Sequence, residues 1–351
     1  MIRENAVKKI GICGHFGDGL ALSNGQTIKT KTIASALKKR LGEDQVATVD
    51  THGGMRQLPR MARQLWRLFG SCSNVAILPA HHGLLVFAPL CRFFAFFKRR
   101  NIHYIVIGGW LETYLNRYPW LLPILKGFRG IYVETRTMKQ GLEAKGLHNL
   151  VLLPNFKELS ILEEAELTPL EAPPYRLCTF SRVMPEKGIG DAVNAVRTAN
   201  ELLGAPLLTL DIYGQIESGC EAWFEALQKE FPPEIRYGGV VAYGESVETL
   251  RRYAALLFPT RFETEGIPGT ILDAYSAGVP VIASRWKSFS DVVDEGRVGL
   301  GFPLGQPQQL TQLLVELARC PERLSDMRGS CLKKAGEFDA QTALRPLLER
   351  L

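Results

Sequence analysis

Two carboxylates, Glu265 and Asp273, stand eight positions apart in the stretch "PTRFETEGIPGTILDAYSAGVPVIAS", Pro259 to Ser284, on either side of a Gly-Ile-Pro-Gly-Thr turn. "ALLFP" reads as a short buried strand, the Gly/Pro segment as a loop, "TILDAYSAG" as a helix closed by Gly278, and "VPVIAS" as the next strand. A loop entering a helix in an α/β sheet presents backbone N–H groups and the positive end of the helix dipole, which favour a phosphate or another anion. Gly266 and Gly269 let the chain pass close to such a ligand. Upstream, "FSRVMPEKGIGDAV" places Arg182 at a strand end and Lys187 five residues later, before a helix. Two such cations can hold a diphosphate, the guanidinium donating bidentately. Each stretch alone is equally compatible with a plain βαβ connection carrying solvated charges.

Order and spacing join the two. "SRVMPEKGIGDAVNAV" followed by "FPTRFETEGIPGTILDAYSAGVPVIAS" resembles the second domain of the family 4 glycosyltransferases, of the bacterial surface-polysaccharide type, which have the GT-B fold. The resemblance covers the C-terminal domain in detail and the N-terminal domain in outline. It implies that Arg182 and Lys187 bind the donor diphosphate and that the family's acidic pair, E-x7-E, falls on Glu265 and Asp273. Glu265 would face the donor sugar and Asp273 the nucleotide ribose, with Gly266, Ile267, Pro268, Gly269 and Thr270 forming the turn against the phosphates. Gly214, Gly239 and Val240 are assigned to donor binding; "YGGV", Tyr237 to Val240, resembles the loop that receives the base in this family, with a plain apolar strand end as the open alternative. The sequence departs from the pattern at Asp273, one methylene shorter than the usual glutamate.

The implied reaction moves a sugar from a nucleotide diphosphate sugar, a UDP-sugar, to an acceptor hydroxyl with retention of configuration and with no bound cofactor or metal. No D-x-D stands in a loop suited to a divalent ion, and Arg182, Lys187 and the helix N-terminus would take the metal's place against the leaving diphosphate. Same-face attack, with the leaving phosphate taking the acceptor proton, is the expected route. The loop "GHFGDGLALSNGQTIKT" after the first strand is assigned to the acceptor side, through Gly14, His15, Phe16, Gly17, Asn24, Gln26 and Thr27. Its glycine spacing is not the G-x-G-x-x-G of a dinucleotide fold, which disfavours an oxidoreductase. A catalytic role for His81 or His82 stays open against a simple loop contact. A soluble glycosyltransferase acting on a small molecule or protein, or a catalytically silent GT-B binding protein, are the rival readings.

The elements that must position these residues form two series. "KKIGICG", "QVATVD", "NVAILPA", "YIVIGG" and "GIYVET" alternate with helical patterns, and "RLCTFSR", "LLTLDIYG", "IRYGGV", "ALLFP" and "VPVIAS" do the same downstream. The expected fold class is α/β, GT-B, with two Rossmann-like domains whose parallel sheets face a central cleft. The boundaries read as residues 1–157 for the acceptor domain, 158–175 for an acidic, Pro-bearing linker, 176–332 for the donor domain, and 333–351 for a terminal helix returning to the N-terminal domain.

Charge divides along the same line. Of 351 residues carrying +6 overall, the first 150 hold 22 Lys/Arg against 8 Asp/Glu and the remainder 20 against 28. "RQLPRMARQLWRLFG" spaces Arg56, Arg60, Arg63 and Arg67 along one helix stripe, and "RFFAFFKRR" sets aromatics beside cations. Such segments suit an anionic membrane surface, while a reading with the aromatics in the core and the arginines solvated stays open. No nucleic-acid motif accompanies the charge. The seven cysteines are scattered with no C-x-x-C pair, and no apolar run approaches the roughly 18 to 20 residues of a spanning helix. The expected setting is cytoplasmic, peripheral on the inner face of the cell membrane. The expected acceptor is a saccharide on a polyprenyl diphosphate, in capsule or exopolysaccharide synthesis.

Overall fold

The computed structural model describes residues 7–17, 25–52, 57–167, 169–170, 172–242 and 244–351. The chain divides into two compact units, 1–155 with 340–351, and 156–339.

Unit 1 is built on strands β1 (Lys8–Gly14), β2 (Val46–Asp50), β3 (Cys72–Ile77), β4 (Asn101–Ile105), β5 (Gly130–Val133) and β6 (Leu150–Leu152), all parallel, in the order β2-β1-β3-β4-β5-β6. The helices between them are α1 (Gly25–Leu41), α2 (Leu58–Ser71), α3 (His81–Lys98), α4 (Leu111–Arg117), α5 (Leu121–Lys126) and α6 (Arg136–Glu143). Strands read as near-continuous apolar runs because helices cover both faces of a parallel sheet. Ile10, Ile12, Val75, Ile77, Tyr104 and Ile131 are accordingly buried. A Cβ on Gly11 would lie 2.6 Å from Leu68, so α2 packs directly on the β1 backbone.

Unit 2 carries β7 (Tyr175–Phe180), β8 (Leu208–Tyr213), β9 (Ile235–Gly239), β10 (Ala255–Phe258), β11 (Val281–Arg285) and β12 (Gly299–Pro303), again all parallel, in the order β12-β11-β10-β7-β8-β9. Its helices are α7 (Ile189–Leu203), α8 (Glu221–Gln228), α9 (Ser246–Leu250), α10 (Gly269–Ser276), α11 (Phe289–Val292), α12 (Pro307–Arg319) and α13 (Glu322–Ala335). The last helix, α14 (Ala340–Leu348), belongs to unit 1.

Two boundaries differ from the sequence expectation. Within 158–175, the described residues Leu162 and Leu167 are held against unit 2. Leu162 donates its N–H to the Ser276 carbonyl at 2.9 Å, and Leu167 Cδ2 lies 2.3 Å from where a Gly278 Cβ would stand. Composition suggested a spacer, but these leucines are held by α10. The terminal 333–351 segment is likewise not one helix: α13 ends at Ala335, a turn follows through Gly336–Phe338, and α14 starts at Ala340. Among the described residues, no helix is long and apolar enough to cross a membrane.

Candidate active site

In unit 2 the strand order reverses between β7 and β10. From β7 the chain winds outward to β8 and β9, and from β10 it winds the other way to β11 and β12. The loops leaving the carboxyl ends of these two neighbours therefore diverge, and the crevice at such a reversal is where open α/β sheets bind ligands. The β7 loop carries Arg182 and Lys187, and the β10 loop carries Glu265.

The two loops are stitched together. Lys187 Nζ forms an ion pair with Glu265 Oε1, and Thr260 donates its hydroxyl to the same oxygen at 3.0 Å. Lys187 also lies over the rings of Phe258 (5.5 Å) and Phe262 (5.1 Å). Arg261 donates its N–H to the Glu186 carbonyl at 2.8 Å and grips Asp191 with both Nε (2.9 Å) and Nη2 (2.7 Å). Gly188 makes the approach possible: its φ is +71°, and a Cβ there would lie 1.9 Å from the Pro259 carbonyl oxygen. Ser284 on β11 donates to the Thr260 carbonyl at 2.5 Å, fixing the start of the β10 loop from the other side.

Arg182 is placed differently. Half exposed, it pairs with Glu217 at 2.8 Å, and so is not bonded to the Lys187–Glu265 pair. Gly214 has φ +138°, and a Cβ would meet the Ser181 carbonyl oxygen at 1.7 Å, so its bareness serves the packing of the β7 and β8 loops. Gly239, with φ +80°, has open space around it, and Val240 beside it is exposed. Gly239 ends edge strand β9 and Val240 follows it.

Helix α10 begins at Gly269, so Gly266, Ile267 and Pro268 form its approach and Thr270 its first turn. The first N–H groups of a helix lack intrahelical acceptors. The Thr270 hydroxyl is buried and has no hydrogen-bond partner. Asp273 lies one turn on and is 5 % exposed. Burial pushes its carboxyl up, against the opposing pull of Lys157 and a hydrogen bond from Ser246. Lys157 Nζ sits 2.5 Å from Asp273 Oδ2, and its Cδ would be 3.7 Å from a Gly269 Cβ. The lysine stem therefore runs along the α10 face that bears Gly269 and Asp273. Sequence reasoning missed Lys157, Thr260, Arg261 and Asp191. Their partners lie 116, 5, 70 and 70 residues away, and only Thr260 had a local signal.

In unit 1 the order reverses between β1 and β3, which brings the β1 loop to the matching position of its own sheet. His15 Nδ1 contacts Thr27 Oγ1 at 2.8 Å, and its Nε2 contacts His52 Nδ1 at 3.2 Å. Asp50 accepts from the N–H groups of Phe16 (2.8 Å) and His52 (2.9 Å). Gln26 donates to the Leu78 carbonyl at 3.3 Å, and Gly17 has φ +63°. A Cβ on Gly14 would lie 2.7 Å from Thr30. Asn24, with Asp18 and Gly19, lies outside the described residues. The structure adds a buried ion pair between Lys29 on α1 and Glu134 after β5, which also accepts from Gly108 N–H at 3.2 Å. His81 stacks on Trp110 with centroids 4.2 Å apart, and burial lowers its pKa. Among the described residues, no group of three or more His, Cys, Asp or Glu could hold a metal ion.

The family model described as glycosyl transferases group 1 matches residues 174–320, which span β7 through α12. The chain is 24 % identical over 183 residues to the amylovoran biosynthesis glycosyltransferase AmsK of Erwinia amylovora, covering 51 % of this chain and 44 % of that one. It thus spans less than half the length of this curated relative. Among solved structures, Anabaena HepE in complex with UDP superposes with a TM-score of 0.76 at 14 % identity, covering 97 % of this chain and 98 % of HepE. A glycosyltransferase from Rickettsia africae superposes with a TM-score of 0.71 at 13 % identity, covering 97 % of each chain. The fold is that of the GT-B glycosyltransferases.

Proposed function

We propose that this protein is a retaining glycosyltransferase of the family 4 type that moves a sugar from a UDP-sugar to a hydroxyl of a saccharide acceptor, in bacterial surface-polysaccharide synthesis. The observation that carries this reading is the Lys187–Glu265 pair at the winding reversal of unit 2, beside the N-terminus of α10. An ammonium has three donors. Lys187 can hold Glu265 with one and meet the donor diphosphate with another, while Glu265 accepts from the sugar hydroxyls. The buried, unpartnered Thr270 hydroxyl and the first N–H groups of α10 are further donors for phosphate oxygens. Arg182, itself half exposed and so weakly held by Glu217, joins them by exchanging that partner for the diphosphate. HepE was solved with UDP-glucose, which supports UDP as the carrier.

In this mechanism the acceptor oxygen attacks the anomeric carbon on the face the diphosphate leaves. The bond from anomeric carbon to phosphate oxygen breaks, and that oxygen takes the acceptor proton. Lys187, Arg182 and the α10 N-terminus stabilise the charge that develops on the leaving UDP, so the step needs no metal. His15, Gln26 and Thr27 of unit 1 serve the acceptor. The likeness to a protein of amylovoran biosynthesis and the cationic unit 1 favour an acceptor saccharide on a polyprenyl diphosphate, met at the inner face of the cell membrane. Calorimetry with UDP tests the donor half: binding that weakens in both Lys187→Ala and Thr270→Val supports it, and binding unchanged in both refutes it.

A further inference from the structure

One face of the aromatic-rich end of α3 packs into the core of unit 1 and the other does not. Phe94 and Phe87 are buried, but Phe93, Phe96 and Phe97 are 56 %, 71 % and 59 % exposed. They touch one another: Phe93 and Phe97 have centroids 4.8 Å apart, and Phe96 and Phe97 5.5 Å apart. Trp66 on α2 extends the patch, edge-on to Phe94 at 5.2 Å and itself 39 % exposed, with Lys98 Nζ 4.0 Å above its ring. Three exposed phenylalanines joined through Phe97 are unusual on a soluble surface and mark something that covers them.

Charge identifies the cover. No Asp or Glu occurs between Asp50 and Glu112, so α2 and α3 carry only cations. Arg60, Arg63 and Arg67 on α2, and Arg92 and Arg99 at α3, are all exposed. Arg99 closes α3 in the left-handed conformation with φ 52°, which leaves Lys98 and Arg99 beside Phe96 and Phe97. A second copy docked on this face by a two-fold axis would set like charge against like charge, an arrangement that costs energy. Aromatics ringed by Lys and Arg on adjoining helices match instead the interfacial region of an anionic bilayer, where rings enter the headgroup boundary and cations meet lipid phosphates.

We propose that unit 1 docks on anionic membrane by inserting Phe93, Phe96 and Phe97, with Trp66 at their edge, while Arg60, Arg63, Arg67, Lys98 and Arg99 bind headgroups. This goes beyond electrostatic attraction, because the aromatic part persists when salt screens the charges. It does not rest on the donor chemistry, since vesicle binding and UDP binding fail separately.

The test is co-sedimentation of the full chain with phosphatidylcholine/phosphatidylglycerol vesicles, and with phosphatidylcholine alone, at low and high salt. Wild type is expected to bind the anionic vesicles at low salt and to keep a measurable fraction at high salt. Arg60→Gln, Arg63→Gln and Arg67→Gln together should lower the low-salt partition by on the order of a hundredfold. Phe93→Ser, Phe96→Ser and Phe97→Ser together should lower it by on the order of a hundredfold and abolish the high-salt fraction. These rings leave the core untouched, and an unchanged unfolding midpoint and UDP affinity confirm that the variant folds. Wild type that ignores anionic vesicles at low salt overturns the proposal. So does a triple-Ser variant that binds like wild type, or a wild-type dimer that the same variant dissolves.

Discussion

Lys187 and Glu265 form an ion pair whose role is separable by substitution. Glu265→Gln keeps size and still accepts from Thr260 but loses its charge, so turnover should fall more than UDP affinity does. Calorimetry beside a UDP-release assay separates the two, and a variant that loses UDP binding while keeping turnover would reverse the assignment. Lys157 governs a different balance. Its ammonium offsets the burial of Asp273, so Lys157→Met leaves a buried carboxylate without its counter-charge and should cost about 3 kcal/mol at neutral pH. Burial raises the Asp273 pKa, and removing Lys157 raises it further. A carboxyl held above its unfolded value contributes stability at low pH that is lost as pH rises through the folded value. The deficit of Lys157→Met should therefore shrink on acidification, as urea midpoints at pH 7 and 5 would show. A deficit independent of pH would mean that Lys157 matters through packing alone.

At the scale of elements, the β7 and β10 loops meet because Gly188 has no side chain. Gly188→Ala adds a left-handed strain of about 1–2 kcal/mol and a Cβ that the Pro259 carbonyl cannot accommodate. It should lower stability and UDP affinity together, whereas Gly190→Ala, two residues on in α7 with open space around it, should be neutral or slightly stabilising. Equal effects in the two variants would show that the loop contact is dispensable.

Unit 1 has its own tie in His103 on β4. Its Nε2 faces Asn74 Oδ1 at 3.1 Å and can only donate there, so Nδ1 accepts from Tyr132 Oη at 2.9 Å. Asn74 in turn donates to the Leu351 carbonyl at 3.2 Å, binding the chain end to β3. Burial first, and Arg129 and Arg350 next, lower the His103 pKa from 6.5 to about 4. The folded state thus refuses a proton that the unfolded state takes, so stability is intact above pH 6.5 and falls between 6.5 and 4, by up to about 3 kcal/mol. A His103→Gln variant should show a flatter stability profile across that range. An unchanged slope would assign the acid lability elsewhere.

These elements also show what was legible in the sequence. Apolar runs and Gly/Pro punctuation gave every strand of the β7–β11 series, and the Arg182, Lys187 and Glu265 pattern pointed to the two loops that leave β7 and β10 at the winding reversal, because those signals are local. Strand β12, "GLGFP", carries three breaker-type residues and was not anticipated. The Lys157–Asp273 and Lys29–Glu134 pairs join positions 116 and 105 residues apart, and nothing local marks a lysine as the partner of a distant acid. In "RFFAFFKRR" the helical period alone could not tell Phe94, which is buried, from Phe93, Phe96 and Phe97, which are not.

Across the whole molecule, one chain holds two sheets of the same six-stranded parallel type with opposite charge: 22 basic against 8 acidic residues before position 151, and 20 against 28 after it. Long-range fields of this kind act on association and not on fold. The central claim is that unit 2 stabilises a leaving UDP, and it is tested most directly by measuring UDP release from a panel of UDP-sugars by wild type and by Lys187→Ala. Wild type should hydrolyse at least one donor slowly without acceptor, and Lys187→Ala should release UDP about a hundredfold more slowly, the loss of one charge-stabilising donor, with its unfolding midpoint nearly unchanged. UDP release at the wild-type rate from the folded Lys187→Ala protein would contradict the account.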